Sequence, residues 1–478
     1  MICMAFSIQP DFPALRSQLA PMKAARQRLA RTASLHDLES ATSVFLPAGL
    51  LQELRSLPGT RLRWLPMTLV FWAFLQMVLN PASSCRETQR CLQAWWRRQG
   101  RLWRNPNTNA FCQARARLPL RWLTRLWWHL ADTLAQRAAP LPGTHGRRVL
   151  VVDGTSVRTP DSDANQRRWP QPSSQKPGCG FPLVMIVGVF CLQSGALLRA
   201  AQGAWKTHEA RLFALLRRTL KKGDILVADR GYWSFANLAL LPLRGVDLLV
   251  RARYAHRLDW RKGRRLGHGD RLVSMPRPVD ASRVMGARLW KRLPAAITVR
   301  QVRAVIERKG HRPETIVLAT TLLDPVKWPV ETLLRLYLRR WRVELHFDDI
   351  KTTMQAETLR CKSPEMILRE LHLHAIAYNL VRALMAASAA SAGADLDRIS
   401  FKGTMDTLRQ WHAMIASAPS GHRRRKALDD MLVLCGLDLV AERPGRREPR
   451  CVKKRPKPYQ YLTRPRRLMS VSPSRRLK

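Results

Sequence analysis

Apolar and polar positions along this chain change period more than once. From Leu50 to Gln136 apolar residues recur at spacings of three and four, on arginine-studded segments such as CLQAWWRRQGRLW and LRWLTRLWWHLADTLAQ, which predicts packed helices. Leu65 to Leu79 is almost wholly apolar, but at about fifteen residues with Pro66 and Gln76 inside it falls short of the roughly 20 needed to cross a bilayer. It reads as a buried helix. Between the arginine-rich segments, Asn107, Thr108 and Asn109 can cap a short helix carrying Arg115 and Arg117, either as a solvated charged face or as a DNA contact. Residues 1–40 carry no such stripe and read as a polar arm.

From residue 147 the period becomes strand-like. RRVLVVD, LVMIVGVF and ALLRAAQ predict three strands separated by Gly, Pro and Ser. The helix HEARLFALLRRTL, the strand DILVADRGY and the strand VDLLVRAR follow, so a mixed α/β domain begins here. Residues 253–324 interrupt it with RKGRRLGHGDR and two alternating runs, AITVRQVRAVI and ETIVLATTLL, which resemble a β-rich insertion. Helical periodicity returns from Val330 through Met354, and a second long helix runs from Pro364 to about Ala387 and covers the sheet. The resulting expectation is an arm (1–40), a helical region (41–140), an α/β core in two parts (141–252 and 325–395) around the insertion (253–324), and a helical C-terminal region with a tail (396–478).

Charge narrows the function. The 478 residues carry 83 Lys and Arg against 34 Asp and Glu, a formal net charge of +49, which would strain a compact fold unless a polyanion neutralised it. Small acidic metabolites do not require such an excess; it points to nucleic acid first and to an anionic membrane surface second. From Arg443 onward 14 Lys and Arg face the single Glu448, as in an extended arm on a polyanion. The first residues lack a basic segment followed by an apolar one, so a cytoplasmic protein without membrane attachment is expected. Nine scattered cysteines with no C-x-x-C pair suit reduced thiols, and neither a disulfide framework nor a zinc site is indicated.

Two apolar strands each end in an Asp, VLVVD at Asp153 and ILVAD at Asp229. A carboxylate at the C-terminal end of a buried strand must be solvated, paired or bound to metal. Either alone could simply open a turn; two together in a polyanion binder point to metal. On the following helix, at about 100° per residue, Tyr337, Arg340, Glu344 and Lys351 fall within roughly 60° of one face, while Trp341, Val343, Leu345 and Phe347 crowd the others. Asp348 shares the polar face and competes with Glu344; Asp349 does not. His208-Glu209 and the Asp161/Asp163 pair are weaker candidate ligands: no second metal-type spacing supports them, and a helix start or a loop cap explains each.

The run Tyr337, Arg340, Glu344, Lys351 resembles the Tyr-Arg-Glu-Lys signature of DDE transposases of bacterial insertion sequences, the IS-4 family. Asp153-Gly154-Thr155, the stretch Asp229 to Tyr232, the β insertion, LRCKSPEMILREL and AIAYNLVR are similar to that family as well, over about residues 100–390. The resemblance implies an RNase H-like core in which Asp153, Asp229 and Glu344 are catalytic and hold two Mg²⁺ ions, with Mn²⁺ an acceptable substitute. It implies that Tyr337, Arg340 and Lys351 position DNA phosphates. Arg251 and Arg253 are further candidate backbone contacts, and Trp290 in the insertion a candidate for stacking on a flipped base, with Trp205, Trp260 and Trp328 equally available. The implied activity is cut-and-paste transposition through a hairpin, by a nucleoid-associated homodimer acting on double-stranded transposon ends and target DNA. A structure-selective nuclease of the same fold, or a non-catalytic DNA-binding protein, are the alternatives.

Overall fold

The computed structural model describes residues 45–56, 64–253, 259–279, 287–306, 314–442, 461–465 and 468–469. The polar arm and nearly all of the basic tail lie outside the described residues.

Among the described residues, five helices come first: α1 (Ala48–Arg55), α2 (Met67–Leu79), α3 (Cys85–Arg98), α4 (Asn109–Arg117) and α5 (Leu120–Arg137). The apolar run beginning at Leu65 does form a buried helix, with Phe71, Trp72, Ala73 and Leu75 fully enclosed. Asn107 accepts a hydrogen bond from the Asn109 N–H at 2.9 Å just before α4. Arg115 departs from both expectations, since it is buried between Phe74 and Phe111 rather than on a charged surface.

The sheet has nine strands: β1 (Val149–Arg158), β2 (Leu183–Cys191), β3 (Leu197–Ala204), β4 (Ile225–Ala228), β5 (Asp247–Arg251), β6 (Arg264–Gly267), β7 (Asp270–Pro276), β8 (Ala296–Ile306) and β9 (Glu314–Thr320). Their order is β3-β2-β1-β4-β5-β9-β8-β7-β6. β1 pairs antiparallel with β2 and parallel with β4, and β4 pairs parallel with β5. Val149 to Val152 and Ile225 to Ala228 are completely buried, as strands covered on both faces must be. The strands between residues 264 and 320 are not set apart from this sheet: β9 pairs with β5 and carries β8, β7 and β6 outward as a continuation of it.

Short helices α6 (Asp163–Arg168), α7 (Glu209–Leu216), α8 (Phe235–Leu240) and α9 (Ala287–Lys291) connect strands. The expected single helix over 330–354 is instead two α-helical pieces with turns of other pitch after each. α10 (Val330–Leu338) passes through a 3₁₀ turn at Arg339–Trp341 into α11 (Arg342–Asp348), which ends in a π turn at Asp349–Thr353. Then come α12 (Pro364–Ala392), α13 (Phe401–Ser417) and α14 (Gly421–Leu437). α12 is long and apolar enough to cross a membrane by length and composition, but it is a core helix with Ile376, Tyr378, Leu380 and Val381 fully enclosed.

Candidate active site

β1 does not end at Asp153. It continues to Arg158 against β2, but its pairing with β4 stops at Val152, opposite Ala228. Asp153 and Asp229 are therefore the next residues on two adjacent parallel strands, side by side where those strands part. Each caps its own loop: Asp153 Oδ1 accepts from the Gly154 N–H at 2.8 Å, and Asp229 Oδ1 accepts from the Gly231 N–H at 2.6 Å. Burial raises the Asp153 carboxyl to about 6, helped by the charges of Asp229 and Glu209 and opposed by the Gly154 N–H and Arg340.

The third carboxylate comes from α11. Glu344 is exposed on its outer side, yet with Asp153, Gly154, Thr155, Asp348 and Lys351 it lines a cleft of about 300 Å³. Arg340, on the 3₁₀ turn, joins the two walls: its Nη1 is 4.0 Å from Asp153 Oδ2 and its Nη2 is 3.4 Å from Glu344 Oε1. The guanidinium also lies 5.9 Å from the Tyr337 ring. The 3₁₀ and π turns break the uniform 100° rotation, so the four signature residues do not share one straight helical face. Convergence on Arg340 and the cleft achieves what that face was expected to do.

Other expectations are placed differently. Val343 and Phe347 are buried, but Trp341 and Leu345 are exposed, so α11 is packed on one side only. Asp348 lines the same cleft and accepts from the Thr352 hydroxyl at 2.6 Å. Arg251 pairs with Glu314 at 2.7 Å, and Arg253 is exposed just beyond β5. Trp290 is buried, its ring 5.7 Å from that of Phe235, in a small hydrophobic cluster of its own, and so presents no open face to a base. Trp328 is buried, Trp205 is exposed, and Trp260 lies beneath Arg303 at 4.7 Å. His208 caps α7 and Asp163 opens α6, as a helix-start reading requires.

Glu209 is the residue whose position the sequence pattern hid. It opens α7, an ordinary place for an acid, but its carboxylate lies against Gly154: a Cβ there would be 2.6 Å from Glu209 Oε1. The sequence holds one indirect signal, the glycine directly after Asp153.

Among the described residues no three His, Cys, Asp or Glu side chains are already gathered closely enough to hold a metal ion. The donor set nevertheless suits a hard divalent cation: carboxylate oxygens only, half-buried and mutually repelling, with no thiol or imidazole among them. Asp153, Asp229 and Glu344 are the candidates to hold it.

The model of the Transposase DDE domain matches residues 144–380. Over 370 residues, 76% of this chain and 80% of the other, the chain is 30% identical to Transposase InsG for insertion sequence element IS4 of Escherichia coli (strain K12). Among solved structures it resembles the piggyBac transposase synaptic complex with hairpin DNA, at TM-score 0.41 and 11% identity over 86% of this chain and 87% of that one. A DDE transposase domain thus spans the sheet, the paired aspartates and the Glu344 segment. The chain belongs to the IS4 family of DDE transposases, DNA transposases of insertion sequences that cut and join DNA with divalent metal ions.

Proposed function

We propose that Asp153, Asp229 and Glu344 are the catalytic carboxylates of this transposase and that they hold Mg²⁺, as two ions, with Mn²⁺ able to replace it. The carrying observation is that Asp153 and Asp229 stand side by side at the fork of two parallel strands while Glu344 shares a cleft with Asp153. The first five strands, ordered β3-β2-β1-β4-β5 with only β2 running against its neighbours β1 and β3 while β1, β4 and β5 are parallel, support an RNase H-like core with the first Asp on its central strand. Bound divalent cations would supply charge neutralisation at the phosphate and an activated water.

This chain's own residues do the positioning. Arg340, held between the two walls, offers a planar fork to a phosphate, and Lys351 a point charge at the cleft edge. Tyr337 is almost buried and braces Arg340 from behind. Helices α2 to α5, with Arg97, Arg98 and Arg117 outward, form the N-terminal DNA-binding region of residues 41–140. The strands of residues 253–324 serve as the insertion between the two parts of the core, 141–252 and 325–395, and the region 396–478 adds basic charge. In the proposed cycle the ends of the element are nicked, a free 3′-OH forms a hairpin on the opposite strand, the hairpin is reopened, and the 3′-OH joins target DNA. The active form is a homodimer on paired ends, acting in the cytoplasm on the nucleoid.

A strand-transfer assay with a short duplex of the element's end and a target plasmid tests this reading. Joined product is expected with Mg²⁺; cleavage without joining would replace transposition by simple nuclease action.

A further inference from the structure

We propose that Glu209 is a fourth carboxylate of the metal-holding site, joining Asp153 and Asp229; this rests on the reading that those two aspartates hold the divalent cation.

Two independent features of the site carry it. The first is the cradle at residue 154. Gly154 lies in regular strand pairing with Val187, with no left-handed backbone to call for a glycine, and the space that a side chain would take is held by the end of the Glu209 side chain. Any side chain there would strike the Glu209 carboxyl group, with both Cδ and Oε1 only 2.6 Å from the position of a Cβ. The second is Tyr232, 2% exposed, whose hydroxyl faces the Glu209 carboxylate inside the protein. Its electrostatic surroundings are Glu209, Asp153 and Asp229. One enclosed hydroxyl under the charge of all three carboxylates puts Glu209 in the same electrostatic site as the two aspartates, and Glu209 and Asp153 each feel the charge of Asp229.

A helix-opening glutamate ordinarily serves the helix dipole from the water side. Glu209 differs in being turned inward to β1, and among the described residues no Lys or Arg forms an ion pair with it, although the chain carries a net charge of +49. A protein so rich in cations could have neutralised this carboxylate with a side chain. Among the described residues Asp153 has only Arg340, at 4.0 Å, and the hard oxygen donors on β1, at the end of β4 and at the start of α7 together suit an external divalent cation.

Mn²⁺ binding to the full chain, followed by electron paramagnetic resonance in the absence of DNA, decides the matter without reference to activity. Glu209→Gln is expected to weaken Mn²⁺ binding about 10- to 100-fold. Gly154→Ala, which displaces the same carboxylate, should weaken it too and add nothing when combined with Glu209→Gln; it also serves if Glu209→Gln does not fold. Asp153→Asn is measured beside them. Mn²⁺ binding unchanged in Glu209→Gln and Gly154→Ala but lost in Asp153→Asn would overturn the role of Glu209 alone. Binding unchanged in all three would overturn the metal reading of the aspartates, and this inference with it.

Discussion

Arg340 reaches across the cleft to Asp153, its Nη1 4.0 Å from Oδ2, while its Nη2 lies 3.4 Å from Glu344 Oε1. One guanidinium thus stands between two of the three proposed catalytic carboxylates, in the place a cation and a phosphate would share. Such a group acts first as a counter-charge and then, once metal takes over that function, as a phosphate fork.

Arg340→Ala is accordingly expected to lower cleavage about 10²-fold by misplacing the scissile phosphate. Metal affinity should stay level or rise, since a competing positive charge has been removed. Arg340→Lys should recover only part of the activity, because a point charge does not reproduce the fork. Iron-mediated hydroxyl-radical cleavage of the protein, run beside the DNA assay, checks both; loss of the metal signal in Arg340→Ala would make this residue a support of the pocket.

Glu344 and Asp348 both line the cleft, one helical turn apart, and are held differently: Glu344 by Arg340, Asp348 by the Thr352 hydroxyl. Glu344→Gln should abolish metal-dependent cleavage and Asp348→Asn should leave most of it. The reverse outcome in a duplex-cleavage assay would move the third carboxylate one turn along α11.

The legible part of the site lay in short-range patterns. Asp153 and Asp229 could be found because four apolar residues precede each, and strands buried on both faces tolerate nothing else. What the pattern could not give was the turn geometry at Arg339–Trp341 and Asp349–Thr353, where hydrogen bonding departs from the i to i−4 ladder without any proline or glycine to announce it. Arg115 was misjudged because Phe74 and the sulfur of Cys85, which enclose it, come from other helices. Glu209 was hidden likewise, since a helix-opening acid has an ordinary local explanation and only the contact with Gly154 reveals another.

The charge of +49 predicts DNA binding that weakens steeply with salt, at about −0.9 in log–log slope for each phosphate neutralised. Removing the residues from Arg443 onward should flatten the slope while preserving discrimination between the element's end and random DNA, since phosphate contacts carry no sequence information. Fluorescence anisotropy across a salt series measures both. Loss of discrimination on truncation would place recognition in the tail.

Asp349 provides a pH test of the core. Burial raises its carboxyl to about 7, with Asp348 adding to the effect and Arg382 opposing it. The unfolded chain ionises near the usual value of 3.8 while the folded chain keeps the proton until about 7. Between those values the folded state binds the extra proton, so this group's contribution to stability falls as pH rises through the window and levels off above it. Asp349→Asn removes that decline, and at pH 8 should be more stable than the parent by about 1–3 kcal/mol, allowing for structural relaxation. Urea denaturation at pH 5 and pH 8 reads the difference; an equal pH response in parent and variant would show that Asp349 ionises normally.

The most direct measurement takes the parent and Asp229→Asn, a duplex bearing the element's own end, and Mg²⁺, with binding and cleavage followed in the same samples. The variant should bind the duplex about as tightly as the parent and cleave it several orders of magnitude more slowly. Cleavage at the parent rate by Asp229→Asn would contradict the assignment of the paired aspartates as the catalytic centre.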